Sequence, residues 1–79
     1  MKIYVLFFGA AAEVVNARNT ELELTACLTT NAVLKNLTQQ FPLLADHKLH
    51  ISINQQYANG DEIVRDGDEI AIFTAVSGG

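Results

Sequence analysis

The chain has 79 residues, of which 49% are hydrophobic, 18% are charged and one is proline. This is about half the usual length of a domain, so we expect one small domain that buries about 60% of its surface on folding. The composition excludes a disordered or low-complexity chain. Five basic against nine acidic residues give a net charge of -4, which argues against nucleic acids and anionic membranes and favours a protein partner.

The first part of the chain shows two strand patterns separated by a short helical segment. Residues 2–8 are β-branched and aromatic with apolar side chains on both faces, which predicts a central, buried strand. Residues 9–16 place helix formers behind a glycine and predict a loop or a helical turn. Residues 19–25 alternate, with Leu22 and Leu24 on one face, and predict a half-exposed strand that pairs with the first.

One helix is predicted in the middle of the chain. Thr29, Thr30 and Asn31 are candidate N-caps, and Pro42 forbids continuation of the helix. Apolar residues recur between them at helical spacing: Val33, Leu34, Leu37 and Phe41.

Two further strands and two turns follow. Residues 48–54 alternate, with Leu49, Ile51 and Ile53 facing inward. The pairs Asn59-Gly60 and Asp66-Gly67 are typical of turns, and the second leads into a last strand over residues 69–74.

These elements predict an α+β fold with one mixed sheet on one main helix and with the first and last strands side by side. Alternation along the first strand places Ile3, Val5 and Phe7 on one face and Tyr4, Leu6 and Phe8 on the other. Because a single helix covers one face only, the second set either lies under loops or forms an apolar docking surface.

The sequence offers few groups for catalysis or metal binding. It has no paired cysteines, no phosphate-binding glycine loop and no HExxH motif. We expect His47 and His50 to be ordinary surface histidines and Cys27 to be a small buried hydrophobe, and we predict no metal site. Five acids in the last quarter lack EF-hand spacing and are expected to form a solvated charged surface: Asp61, Glu62, Asp66, Asp68 and Glu69.

The longest apolar run, residues 3–8, is too short to span a bilayer, and Lys2 alone is a poor signal-peptide start, so we expect a cytoplasmic protein. A single cysteine cannot form an internal disulfide.

The sequence closes with Gly78-Gly79 after the last strand. Two glycines can pass in extended form through a channel too narrow for other residues. A partner enzyme with ATP and Mg²⁺ could convert the carboxylate of Gly79 to an acyl adenylate, which a sulfur or amine nucleophile then attacks. The alternative is a frayed terminus with no role.

Four segments together resemble a known family: residues 2–8 with the small-residue turn up to Glu13, then Ser52-Ile53-Asn54-Gln55, Asp66-Gly67-Asp68-Glu69-Ile70 and Val76-Ser77-Gly78-Gly79. In these segments the chain resembles the MoaD/ThiS group of β-grasp, ubiquitin-like sulfur carriers, and within it the small subunits of molybdopterin synthase (MoaD type). The resemblance covers essentially the whole chain.

The resemblance implies a β-grasp domain over residues 1–74 and a flexible tail over residues 75–79. An E1-like enzyme would use ATP and Mg²⁺ to adenylate Gly79, and a sulfur donor would then convert it to a thiocarboxylate. The tail, threaded through Val76, Ser77 and Gly78, would enter the large subunit of the synthase. There it would donate sulfur to precursor Z (cyclic pyranopterin monophosphate) for molybdenum cofactor biosynthesis.

The same resemblance implies that the catalytic residues lie on the large subunit. This chain would be no enzyme by itself and would bind no cofactor. The positions that match the family's docking surface are Phe8, Tyr57 and Phe73, and acids near the last strand would complement basic residues of the partner.

Two positions depart from the family pattern. Ala12 stands where an arginine often precedes the glutamate, which removes one polar docking contact. Thr74-Ala75 stands where proline is common, which leaves the tail less stiff and its insertion entropically more costly.

Three other functions stay open from the sequence. The chain could carry sulfur for the thiazole of thiamine, or be a ubiquitin-like modifier whose Gly79 forms an isopeptide bond with a lysine. It could also be a non-covalent interaction domain in which the two glycines have no role.

Overall fold

The computed structural model describes residues 1–74, and the predicted tail over residues 75–79 lies outside the described residues. The described chain is α+β, as predicted. Its elements are β1 (Lys2–Phe8), α1 (Ala10–Val15), β2 (Asn19–Glu23), β3 (Leu28–Thr29), α2 (Thr30–Gln40), a 3₁₀ helix (Pro42–Asp46), β4 (Leu49–Ile53), β5 (Gln56–Tyr57), β6 (Ile63–Val64) and β7 (Glu69–Thr74). Within residues 1–74, no helix has both the length and the apolar character to cross a bilayer.

Five strands form one mixed sheet in the order β2-β1-β7-β4-β5. The first and last strands are neighbours, as predicted, and they run parallel, with Phe8 opposite Phe73. The predicted β1–β2 hairpin is antiparallel, and so are the pairs β4–β7 and β4–β5. Strands β3 and β6 form a second, two-stranded sheet. Strand β7 is therefore central, with a neighbour on each side.

Helix α2 begins and ends for the predicted reasons. The Oγ1 atom of its N-cap, Thr29, accepts a hydrogen bond from the Ala32 N–H at 3.2 Å. The helix ends at Gln40, and Pro42 starts the 3₁₀ helix that follows. Val33 and Leu37 are fully buried, so the helix packs on the inner face of the sheet.

The alternating side chains of β1 separate as predicted. Ile3, Val5 and Phe7 face the core, where the Phe7 ring meets Phe41 edge-on at a centroid distance of 5.9 Å. The other buried apolar residues of the core come from both helices and strands: Ala11, Leu22, Leu24, Val33, Leu37, Leu44, Ile51, Val64, Ile70 and Ile72. This core occupies one face of the sheet and leaves the other face open.

Two features differ from the sequence-based expectations. Strands β3, β5 and β6 and the 3₁₀ helix were not predicted, because two-residue strands carry no periodicity and exist only through their partners. The prediction that Cys27 is buried was wrong: the side chain is exposed, and its Sγ lies 3.7 Å from the Sδ of Met1. The chain leaves the sheet after Glu23, and only Leu24 of the next four residues turns into the core.

Candidate docking site

The open face of the sheet carries the residues that the family resemblance marked for docking. Strand pairing places Phe8 beside Phe73, and Phe73 beside His50 of β4. Tyr57 of β5 pairs with Ser52, the next outward residue of β4. We call the group formed by Phe8, His50, Tyr57 and Phe73 the aromatic patch. Sequence positions far apart are thus brought to one end of one sheet face.

Phe73 is the centre of the aromatic patch. The His50 ring stacks on it at a centroid distance of 5.6 Å and an angle of 21°, and the Tyr57 ring meets it edge-on at 5.8 Å. Phe8 is 52% exposed and Tyr57 is 81% exposed. Large aromatic side chains that stay accessible on a small protein are typical of a surface that a partner covers.

His50 belongs to this patch, although it was expected to be an ordinary surface histidine. The signal was present in the alternation of residues 48–54, because inward Leu49 and Ile51 direct His50 outward. His47 is exposed after the 3₁₀ helix and lies outside the patch. Within residues 1–74 no group of three or more His, Cys, Asp or Glu side chains is placed to hold a metal ion.

The aromatic patch lies where β7 ends. Phe73 is the penultimate residue of β7, and five residues separate Thr74 from the end of the sequence at Gly79. An extended chain advances at most about 3.6 Å per residue, so five residues span at most about 18 Å. Any enzyme that acts on Gly79 must therefore approach this end of the sheet.

A groove of about 550 Å³ adjoins the patch on the same face. It is lined by Leu6, Phe8, Ser52, Gln55, Glu69, Ala71 and Phe73. The turn from β4 to β5 borders it, and its two central residues, Asn54 and Gln55, have φ values of 48° and 71°. Two successive positive φ angles are what the tightest hairpin turns require, so this turn holds β5 close beside β4.

The acidic turn before β7 is held by its own carboxylates. Asp66 Oδ1 accepts the Lys2 N–H at 2.8 Å, which ties the turn to the start of β1. Asp68 accepts the Arg65 N–H at 2.7 Å and a side-chain N–H of Asn54 at 3.1 Å. The sequence predicted only a solvated charged surface here, whereas these two carboxylates connect the turn to two neighbouring segments.

Glu62 has a similar structural role in the loop between β5 and β6. Its carboxylate accepts the N–H groups of Asn59 at 2.9 Å and Gly60 at 3.1 Å, and the hydroxyl of Thr30 at 2.9 Å. These hydrogen bonds, the backbone N–H of Asn59 foremost, lower the pKa of Glu62 from its ordinary value of 4.5 to about 2. The loop is thereby attached to the first turn of α2.

Comparison with known proteins agrees with this architecture. The family model of the ThiS family matches residues 5–79. The molybdopterin synthase sulfur carrier subunit of Escherichia coli is 35% identical over 98% of this chain and 99% of that protein. The crystal structure of SAMP1 from Haloferax volcanii matches 100% of both chains with a TM-score of 0.87 at 25% identity. A complex of subunits 1 and 2 of the molybdopterin-converting factor from Helicobacter pylori contains a chain that matches with a TM-score of 0.70 at 23% identity, covering 100% of both chains.

The resemblance noted from the sequence is thus confirmed, and the mixed sheet on one main helix is the ubiquitin-like β-grasp fold. The chain belongs to the ThiS family of the MoaD/ThiS proteins.

Proposed function

We propose that this chain is a sulfur carrier and acts as the small subunit of a molybdopterin synthase. The observation that carries the proposal is the position of the aromatic patch at the end of β7, five residues before Gly79. Membership in the ThiS family and the full-length similarity to a molybdopterin synthase sulfur carrier subunit support it.

In the first step the carboxylate of Gly79 attacks the α-phosphorus of ATP in an E1-like adenylyltransferase, and pyrophosphate leaves. Hydrosulfide supplied by a sulfur donor then attacks the carbonyl carbon, AMP leaves, and Gly79 becomes a thiocarboxylate. ATP and Mg²⁺ are used by the adenylating partner, and this chain supplies the acyl group.

In the second step the tail enters the large subunit of the synthase and donates its sulfur to precursor Z. Val76, Ser77 and Gly78 thread the entry channel, and Phe8, Tyr57 and Phe73 dock on the large subunit. The catalytic residues lie on that subunit. The Helicobacter pylori complex of two subunits supports such a pairing.

The family departures bear on docking and leave the chemistry of Gly79 unchanged. Ala12 provides no guanidinium for the partner, and Thr74-Ala75 leaves the start of the tail without the restraint that a proline imposes. We therefore expect the aromatic patch to supply a large share of the affinity for the large subunit. We expect this binding to take place in the cytoplasm.

The proposal is tested by loading the tail in a reconstituted system. The chain is incubated with the E1-like enzyme, ATP, Mg²⁺ and a sulfur donor, and its intact mass is measured. The peptide that contains Gly79 is then fragmented, because oxidation of Met1 or Cys27 adds nearly the mass of a sulfur-for-oxygen exchange. The variant Cys27→Ser is the matched control and should load normally.

Deletion of Gly79 should abolish loading and leave thermal unfolding unchanged, since the residue comes five positions after β7, the last described strand. With the large subunit and precursor Z added, the loaded chain should yield molybdopterin. Molybdopterin formation by the chain without Gly79 would refute the proposal.

A second candidate function is a protein modifier, which the similarity to SAMP1, a small archaeal modifier protein, favours. In that case Gly79 forms an isopeptide bond with a lysine of a target. An antibody against this chain would then detect species of higher mass in a lysate, and deletion of Gly79 would remove them.

A further inference from the structure

Glu69 differs from the other acids around the last turn. The carboxylates of Asp66 and Asp68 accept hydrogen bonds from neighbouring segments. The carboxylate of Glu69, by contrast, has no hydrogen-bond or ion-pair partner within residues 1–74, and the Lys2 ammonium pairs instead with Glu21 at 3.4 Å. Glu69 is half-buried and lines the groove. A half-buried carboxylate beside apolar side chains is stabilised when a cation or a hydrogen-bond donor reaches it.

The groove connects this carboxylate to the aromatic patch. Glu69, Ala71 and Phe73 are alternate residues of β7 and lie on one face, so Phe73 and Glu69 are about 13 Å apart along the strand. Register places Ala71 between Leu6 and Ser52. Because the side chain of Ala71 is only a methyl group, it forms the floor of the groove between the aromatic rings and the carboxylate of Glu69.

An arginine side chain matches this shape. Its aliphatic stem covers apolar surface while its guanidinium binds a carboxylate in a bidentate manner, and arginine is enriched at protein interfaces where lysine is depleted. The chain carries a net charge of -4, so it attracts a basic surface. Phe8 and Phe73 line both the groove and the aromatic patch, so one docked protein covers both.

We propose that the groove binds an arginine side chain of the protein that docks on the aromatic patch, with its stem over Ala71 and its guanidinium on Glu69. This inference rests on the proposed function, in which that protein is the large subunit of the synthase. Glu69 is then the acid that fixes how the large subunit is oriented on the sheet.

The first test measures binding of the full chain to the purified large subunit by titration calorimetry. Glu69→Gln should weaken binding about tenfold and flatten its dependence on salt, because the variant lacks the charge that the guanidinium meets. Glu23→Gln is the matched control: it removes the same charge from an exposed position on edge strand β2. It should leave the affinity within twofold of the wild type.

A double-mutant cycle with Ala71→Leu tests whether the cation reaches Glu69 through the groove. A leucine side chain at position 71 would fill the floor of the groove, so Ala71→Leu alone should weaken binding. Adding Glu69→Gln to this variant should have little further effect on the affinity. Both side chains face outward, so thermal unfolding should stay close to that of the wild type.

Three outcomes would contradict the proposal. Equal affinities for Glu69→Gln and Glu23→Gln, or effects of Glu69→Gln and Ala71→Leu that simply add, would overturn the groove proposal and leave the sulfur carrier function standing. Failure of the wild-type chain to bind the large subunit would overturn both.

Discussion

Tyr57 offers the sharpest test of the aromatic patch, because it is the most exposed of its residues. In the folded chain Tyr57 is 81% exposed, and its ring meets Phe73 edge-on at a centroid distance of 5.8 Å. Tyr57→Ala should therefore lower the free energy of unfolding by no more than the value of that one ring pair, about 0.5–1.5 kcal/mol.

Docking should depend on Tyr57 far more than folding does. An aromatic side chain presents about 150–250 Å², so docking can bury about 100 Å² of Tyr57, which stabilises the complex by about 2.5 kcal/mol at 25 cal/mol per Å². Ordering the side chain costs about 0.5–1.5 kcal/mol, which leaves about 1–2 kcal/mol. Tyr57→Ala should thus weaken binding to the large subunit about 5- to 30-fold.

Titration calorimetry against the large subunit measures this loss directly. Leu43→Ala is the matched control, because Leu43 is 63% exposed but belongs to the 3₁₀ helix, on the opposite side of the sheet from the patch. It should bind like the wild type, and so should Tyr57→Phe, which keeps the ring. Unchanged affinity of Tyr57→Ala, or an equal loss in Leu43→Ala, would refute docking through the open face.

Three further predictions concern stability, and urea unfolding checks each. The pKa of Glu62 is lowered from 4.5 to about 2, so its carboxylate stabilises the fold fully above pH 4.5 and loses this effect as the pH falls towards 2. The difference in the free energy of unfolding between the wild type and Glu62→Gln should therefore shrink over that range. A constant difference would contradict the role assigned to Glu62. Gln55→Gly should stabilise the chain by about 0.5–1 kcal/mol, since Gln55 has a φ of 71°, whereas Gln56→Gly in β5 should not. Thr29→Ala should destabilise it by about 1 kcal/mol through loss of the cap on Ala32, and Thr29→Ser should retain the cap.

The long elements could be predicted from the sequence because each carries its own period. Strand β7 was predicted at residues 69–74 and spans Glu69–Thr74, and α2 begins at one of the three candidate caps. The two-residue strands and the exposure of Cys27 depend on which distant segment lies alongside, and a local pattern contains no such information. The carboxylate of Glu62 was likewise predicted to be a solvated charge, because the hydrogen bonds that it accepts form only when the loop folds around it.

The aromatic patch, too, could be predicted from the sequence only in part. Alternation directs Phe8 and Phe73 to one face of their own strands, but only the parallel register of β1 and β7 makes them neighbours. Tyr57 joins them through a two-residue strand that has no periodic signal. The prediction that Tyr57 takes part in docking came from the family resemblance and could not have come from residue spacing.

The central position of β7 has a consequence for how the protein is made. Strand β7 lies between β1 and β4, yet the ribosome synthesises it after every other element described. A nascent chain whose β7 is still inside the ribosome cannot join the two halves of its sheet, so folding has to wait until β7 has emerged and then proceeds through contacts distant in sequence. A chain that terminated before β7 would therefore lack the aromatic patch as well as Gly79.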